Sequence, residues 1–94
     1  TTQVLFVNFG EKEQKYCLPL VSRLRDAGIN AELFPDQAKM KKQMSYAHNQ
    51  NIPFVVLVGE NEMNSGTLTL KDMSSGEQVQ TTLDLLIKKI ADKT

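Results

Sequence analysis

Pro53 is followed by an unbroken apolar run, Phe54-Val55-Val56-Leu57-Val58, which stops at Gly59. No other stretch limits the fold as much. A strand exposed on one face alternates apolar and polar residues; a continuous β-branched and aliphatic run is buried on both faces. Such a strand sits centrally in a sheet, with helices above and below. Just past its end stand two carboxylates, Glu60 and Glu62, then Asn64-Ser65-Gly66. An alternating strand returns over Thr67-Leu68-Thr69-Leu70-Lys71. The acidic loop and the returning lysine therefore lie on the rim of the most rigid part of the molecule.

The rest of the chain supplies the layers. Val4 to Val7 predicts a first buried strand, and Glu11 to Ala27 a first helix. Tyr16, Cys17, Leu20, Val21 and Leu24 form the helix's apolar stripe. Glu11 and Glu13 suit its positive end, and Gly28 its termination. Pro19 removes a donor within it and should bend it. Ala31 to Phe34 reads as an edge strand. Ala38 to Asn49 reads as a second helix with a weak inward stripe at Met40, Met44 and Ala47, with Gln43 or His48 alongside; Lys39, Lys41, Lys42 and Gln43 lie mostly outside that stripe. After the loop over residues 59–66, a turn at residues 72–76 leads to a last short strand at Glu77 to Gln80. A third helix, capped by Thr81 or Thr82, presents Leu83, Leu86, Ile87 and Ile90. The order is β-α-β-α-β, a β-β hairpin, then α. Right-handed crossovers make the first three strands parallel, and the hairpin makes the fourth antiparallel. The result is a mixed sheet in a three-layer α/β/α domain spanning residues 1–94.

Composition excludes several functions. The chain has 94 residues and a net charge of zero, so no global field draws it to nucleic acid or membrane. The charge is uneven: residues 36–50 are net positive and residues 51–80 net negative. One cysteine, Cys17, leaves disulfides aside, and a reducing, cytoplasmic setting is expected. No apolar run is long enough to span a membrane. The chain enters a strand almost at once and without an initiator methionine, as a fragment of a longer protein would.

Few residues carry chemistry. Strand one ends in Asn8-Phe9-Gly10-Glu11, where open α/β sheets bind ligands, but no GxGxxG or P-loop is present. Cys17 lies mid-helix on the apolar stripe, so it reads as structural. His48, the single histidine, has no metal-ligating neighbours at the required spacing. Glu60 and Glu62 lack a third group to complete acid/base catalysis. A carboxylate at a strand end does, however, suit the donors of a guanine edge or a cytosine amino group, and Lys71 suits a phosphate or a base carbonyl. No catalytic residue and no metal ligand is expected in this chain.

Several segments together carry a resemblance: Leu24-Arg25-Asp26-Ala27-Gly28-Ile29, Lys41-Lys42-Gln43-Met44-Ser45-Tyr46-Ala47, Gly59-Glu60-Asn61-Glu62 with Gly66, Leu70-Lys71-Asp72, and Ser75-Gly76-Glu77-Gln78. In this order, over nearly the whole chain, they resemble the C-terminal anticodon-binding domain of bacterial histidyl-tRNA synthetases. Class IIa synthetases for threonine, proline and glycine share the domain. The resemblance implies a five-stranded sheet in order 2-1-3-4-5 with three helices, and a role in reading splayed anticodon bases. It places base contacts at Glu62 and Lys71. Further polar contacts fall at Gln37 and Ser45, which differ in type from the threonine relative. Lys39 and Lys42 are added from charge alone, as phosphate contacts. The implied partners are the histidine tRNA anticodon loop and a catalytic domain of the parent chain, in a homodimeric parent; neither membrane nor DNA is expected. No cofactor is expected in this domain, and ATP and magnesium are expected only in the parent's catalytic domain. The competing reading is a synthetase-like regulatory or interaction module that no longer reads tRNA.

Overall fold

The computed structural model describes residues 1–92. Its five strands are β1 (Val4–Val7), β2 (Ala31–Leu33), β3 (Phe54–Leu57), β4 (Leu68–Asp72) and β5 (Gln78–Thr81). They form one sheet in order β2-β1-β3-β4-β5. β1 pairs parallel with β2 and β3, while β4 runs antiparallel to both β3 and β5. The apolar run is central as expected: Val55 and Val56 are both fully buried, one toward each face.

The two faces have different covers. Val4, Phe6, Val56, Leu68 and Leu70 pack beneath α1 (Glu11–Asp26) and α4 (Leu83–Asp92), against Cys17, Val21, Leu24, Leu86 and Ile90. Leu5, Val7 and Val55 pack against α2 (Met40–Asn49) through Ala47, with Met40, Met44 and Tyr46 alongside. α1 continues past Pro19 as a single helix. Pro19 is exposed, so water can serve the carbonyl that loses its intrahelical donor. Of the two threonines before α4, Thr82 makes the cap, its Oγ1 accepting from Leu85 N–H at 3.3 Å. Asp84 is turned instead to Arg23 of α1 at 2.9 Å, tying together the two helices on that face.

The helix count differs from expectation. The segment after β3 is not a loop but a fourth, short helix, α3 (Glu60–Ser65). Gly59 begins it, and Glu62 folds back to accept the Gly59 N–H at 2.7 Å. That bond satisfies one of the orphan donors of a helix start. Gly66, at φ 72°, ends the helix in the left-handed conformation glycine tolerates. Six residues, rich in Asn, Ser and flanking Gly, are too few for apolar periodicity to register. α2 is also two residues shorter than expected at its start, because residues 35–39 stay extended or bent before Met40.

Candidate nucleic-acid interface

On the α2 side the cover is incomplete. Cross-strand pairing places Val55, Lys71 and Gln78 in one row and Leu57, Thr69 and Gln80 in the next, all facing that side. α2 covers the rows at β1 and β3. Over β4 and β5 the face stays open among the described residues: Gln78 and Gln80 are exposed, Thr69 and Lys71 half-buried. Between α2 and this open face runs a cleft of about 380 Å³, lined by Lys41, Met44, Ser45, His48, Asn49, Lys71 and Met73.

Helical spacing explains the lining. Lys41, Met44, Ser45 and His48 stand at i, i+3, i+4 and i+7 and share one flank of α2. Lys71 comes across from β4, opposite Val55. Met73, whose N–H donates to Pro53 O at 2.9 Å, helps line the cleft. Two ammonium groups, an imidazole, a hydroxyl and an amide therefore surround apolar thioethers, and no carboxylate lines the space. Such a cleft attracts anions and offers both donors and acceptors to a flat polar ring.

The second part of the site is the rim at the C-terminal ends of β1 and β3, where the strand order turns from β2 on one side of β1 to β3 on the other. In open α/β sheets this crevice is the usual binding edge. Here Glu62 projects from the first turn of α3. One oxygen holds Gly59, and the other has no hydrogen bond among the described residues. Glu60 is exposed on the same short helix. Behind the rim lies a polar pair missed by the sequence reading. Of the two residues expected alongside the stripe, Gln43 points inward and is fully buried, while His48 is exposed. Its Oε1 accepts from Asn8 N–H at 2.8 Å, while its Nε2 donates to Asn8 O at 2.8 Å and Ala38 O at 2.7 Å. Asn8 Nδ2 in turn donates to Phe34 O at 3.1 Å and Asp36 O at 3.2 Å. The end of β1, the start of α2 and the segment between β2 and α2 are thus locked together. The signal available in the sequence was the weakness of the α2 apolar stripe.

The structure groups the candidate residues into neighbourhoods. Ser45 and Lys71 meet in the cleft, joined by Lys41. Glu62 stands apart at the rim, and no ion pair links it to Lys71 among the described residues. Gln37 is exposed in the segment leading to α2, next to Asp36, which Asn8 holds. Lys39 is exposed at the start of α2. Lys42 shares the stripe of Tyr46, on the flank toward β2, where Tyr46 packs edge-on against Phe34 and donates to Glu32. The first turn of α2 holds no acidic residue. Three lysines crowd a helix start that is already positive, so this end of α2 favours anions. Cys17 is excluded as a nucleophile: burial, with Glu13 adding to it, pushes its thiol up to about 12. No helix among the described residues is long and apolar enough to cross a membrane.

A mixed sheet with one half-open face and a polar rim defines an α/β binding domain. The family model described as "Anticodon binding domain" matches residues 3–93, and the chain belongs to that family. Its relatives within the family are specific. Over 86 residues it is 62% identical to a histidine–tRNA ligase of Bacteroides fragilis and 59% identical to that of Phocaeicola vulgatus, each match covering 92% of this chain. The chain spans about a fifth of the length of these ligases, 19% in each case. Among solved structures, histidyl-tRNA synthetase from Nostoc superposes with a TM-score of 0.91 at 33% identity, over 98% of this chain and 22% of that one. The chain is thus an anticodon-binding domain by family, similar to the corresponding fifth of histidine–tRNA ligases.

Proposed function

We propose that this chain reads the anticodon loop of a histidine tRNA and holds that tRNA for aminoacylation by a catalytic domain outside these residues. The observation that carries the reading is the open half of the α2-side sheet face, where Lys71 and Ser45 meet in a cleft without carboxylates, with Glu62 on the separate rim past the end of β3. Lys71 and the free oxygen of Glu62 would contact base edges, and Ser45 and Gln37 would add polar contacts along the loop. Lys39 and Lys42, on the positive start of α2, would hold phosphates. In this reading residues 1–94 are one domain of a longer synthetase, a cytoplasmic homodimer. ATP and magnesium would act in its catalytic domain. The residues here do not fit them: β1 ends in Asn8-Phe9-Gly10 rather than a phosphate loop, and no three His, Cys, Asp or Glu gather among the described residues.

The test is a titration, at fixed salt, of the chain with a histidine tRNA and with the same tRNA carrying a changed anticodon. The native anticodon should bind more tightly. Lys71→Ala should reduce that preference by about 1–3 kcal/mol. Lys42→Ala should weaken both RNAs alike and flatten the salt dependence. Equal affinity for the two RNAs would refute the reading.

A further inference from the structure

We infer that Phe9 is a stacking platform for an unstacked base of the bound RNA loop, set so that the base edge meets Glu62. The inference rests on the anticodon reading and adds a residue that neither charge nor resemblance points to.

Phe9 is 57% exposed, and it is the one aromatic among the large exposed hydrophobic residues described. A single exposed apolar side chain is ordinary on a protein surface. Three features set Phe9 apart. Its place is the first, since it leaves the end of β1 at the switch-point crevice, beside the end of β3. Its backbone is the second. The preceding residue, Asn8, has both its N–H and its C=O held by one buried amide, Gln43. The following residue, Gly10, sits at φ 154° and begins α1 at once. Phe9 is therefore displayed from a fixed main chain, not from a mobile loop. Its neighbour is the third. A Cβ placed on Gly59 would meet both the Phe9 ring, at 3.6 Å, and Glu62 Oε1, at 3.1 Å. The ring and the carboxylate both crowd the position a Gly59 side chain would take, so they are near neighbours at the rim, with the exposed part of the ring turned to solvent.

RNA loops are read by splaying a base, stacking its face on an aromatic ring and bonding its edge. The ring supplies the face contact, and the free Glu62 oxygen supplies an acceptor for an amino or imino N–H. The other exposed apolar residues offer no such combination. Leu18 and Leu85 lie on α1 and α4, away from the open face, and Val79 lies on the β5 edge.

The experiment uses the chain and a stem-loop RNA with a histidine anticodon, whose loop carries a fluorescent purine quenched by stacking. Wild type, Phe9→Ala, Phe9→Leu and Phe9→Tyr are compared, with a thermal melt of each to verify folding. Phe9→Ala and Phe9→Leu should each lose about tenfold or more in affinity, and the quench with it, while Phe9→Tyr stays within about twofold. Phe9→Leu keeps an apolar side chain, so its loss identifies stacking and not mere hydrophobic contact. Wild-type affinity and quench in Phe9→Leu would overturn the inference and assign the ring to a protein contact, leaving the anticodon reading intact. Failure of the wild type to prefer the histidine anticodon would overturn the reading and the inference together.

Discussion

Gln43→Leu isolates the joint that holds the rim together. The substitution keeps the approximate volume of the side chain and removes three hydrogen bonds, at 2.8, 2.8 and 2.7 Å. Asn8 is 1% exposed, so its N–H and C=O would be stranded without water. Each stranded group costs about 1–3 kcal/mol. The third partner, Ala38 C=O, belongs to a half-buried residue that water can reach. Burial of the leucine offsets about 1–2 kcal/mol. The net loss is then about 3 kcal/mol, against a total stability of about 5–15 kcal/mol for a domain of this kind. In a chain of this length that lowers the melting midpoint by roughly 12–24 °C. Urea unfolding followed by circular dichroism measures it. A companion, Gln43→Glu, would aim a carboxylate at the same two carbonyls. Its folded pKa would lie above its unfolded value of about 4.3. Its stability should therefore be highest below that value and fall as pH rises toward the folded pKa, so its deficit against wild type should widen from acid to neutral pH. A Gln43→Leu protein as stable as wild type, or a Gln43→Glu deficit that does not change with pH, would refute the assignment of Gln43 as the hydrogen-bonded clamp.

Two further substitutions separate roles that the structure superimposes. Glu62→Ala should cost about 1 kcal/mol of stability through loss of the bond to Gly59 N–H, whereas Glu62→Gln, which keeps an acceptor, should restore most of it; chemical unfolding of both variants decides this. Because the glutamine loses the second acceptor oxygen and the charge, RNA binding should fall in both variants, which distinguishes base contact from helix capping. Cys17 should resist thiol reagents at neutral pH until the chain unfolds. Since its folded pKa of about 12 lies above the ordinary thiol value of 9.0, the unfolded state loses its proton first as pH rises. Stability should then drop by up to about 1.4 kcal/mol per pH unit across that window in wild type relative to Cys17→Ala. Parallel pH profiles for the two proteins would contradict the buried, neutral thiol.

The sheet was legible because its signal is physical and local. A run buried on both faces has to be central, and the handedness of two crossovers then places its parallel neighbours. The order β2-β1-β3-β4-β5 came from resemblance and is the order found. α3 was not legible, since its six residues contain one half-buried apolar side chain, Met63, and its stability lies in caps and tertiary contact. Gly59 and Gly66 read as loop residues in one dimension. In the fold they are the two ends of a helix.

The site was harder to read because it depends on which flank a residue occupies. Lys39, Lys41 and Lys42 are near neighbours in sequence, yet successive residues of a helix point about 100° apart. Lys41 therefore lines the cleft with Ser45 and Lys71, while Lys42 follows Tyr46 toward β2. A count of charge cannot separate them. Gln43 poses the reverse problem: apolar periodicity has no means of registering a buried amide. Met40, Met44 and Ala47 leave a gap in the inward stripe where a fourth apolar residue would complete it, and Gln43 fills that gap. The gap follows from what lies opposite. The end of β1 presents a main-chain N–H and C=O with no further strand partner on that side, and both need bonds once buried. Only a side chain that donates and accepts at once can meet both from a single helix position. The weakest part of the α2 pattern is thus the place where the helix fixes the rim, and with it the direction in which Phe9 leaves the sheet.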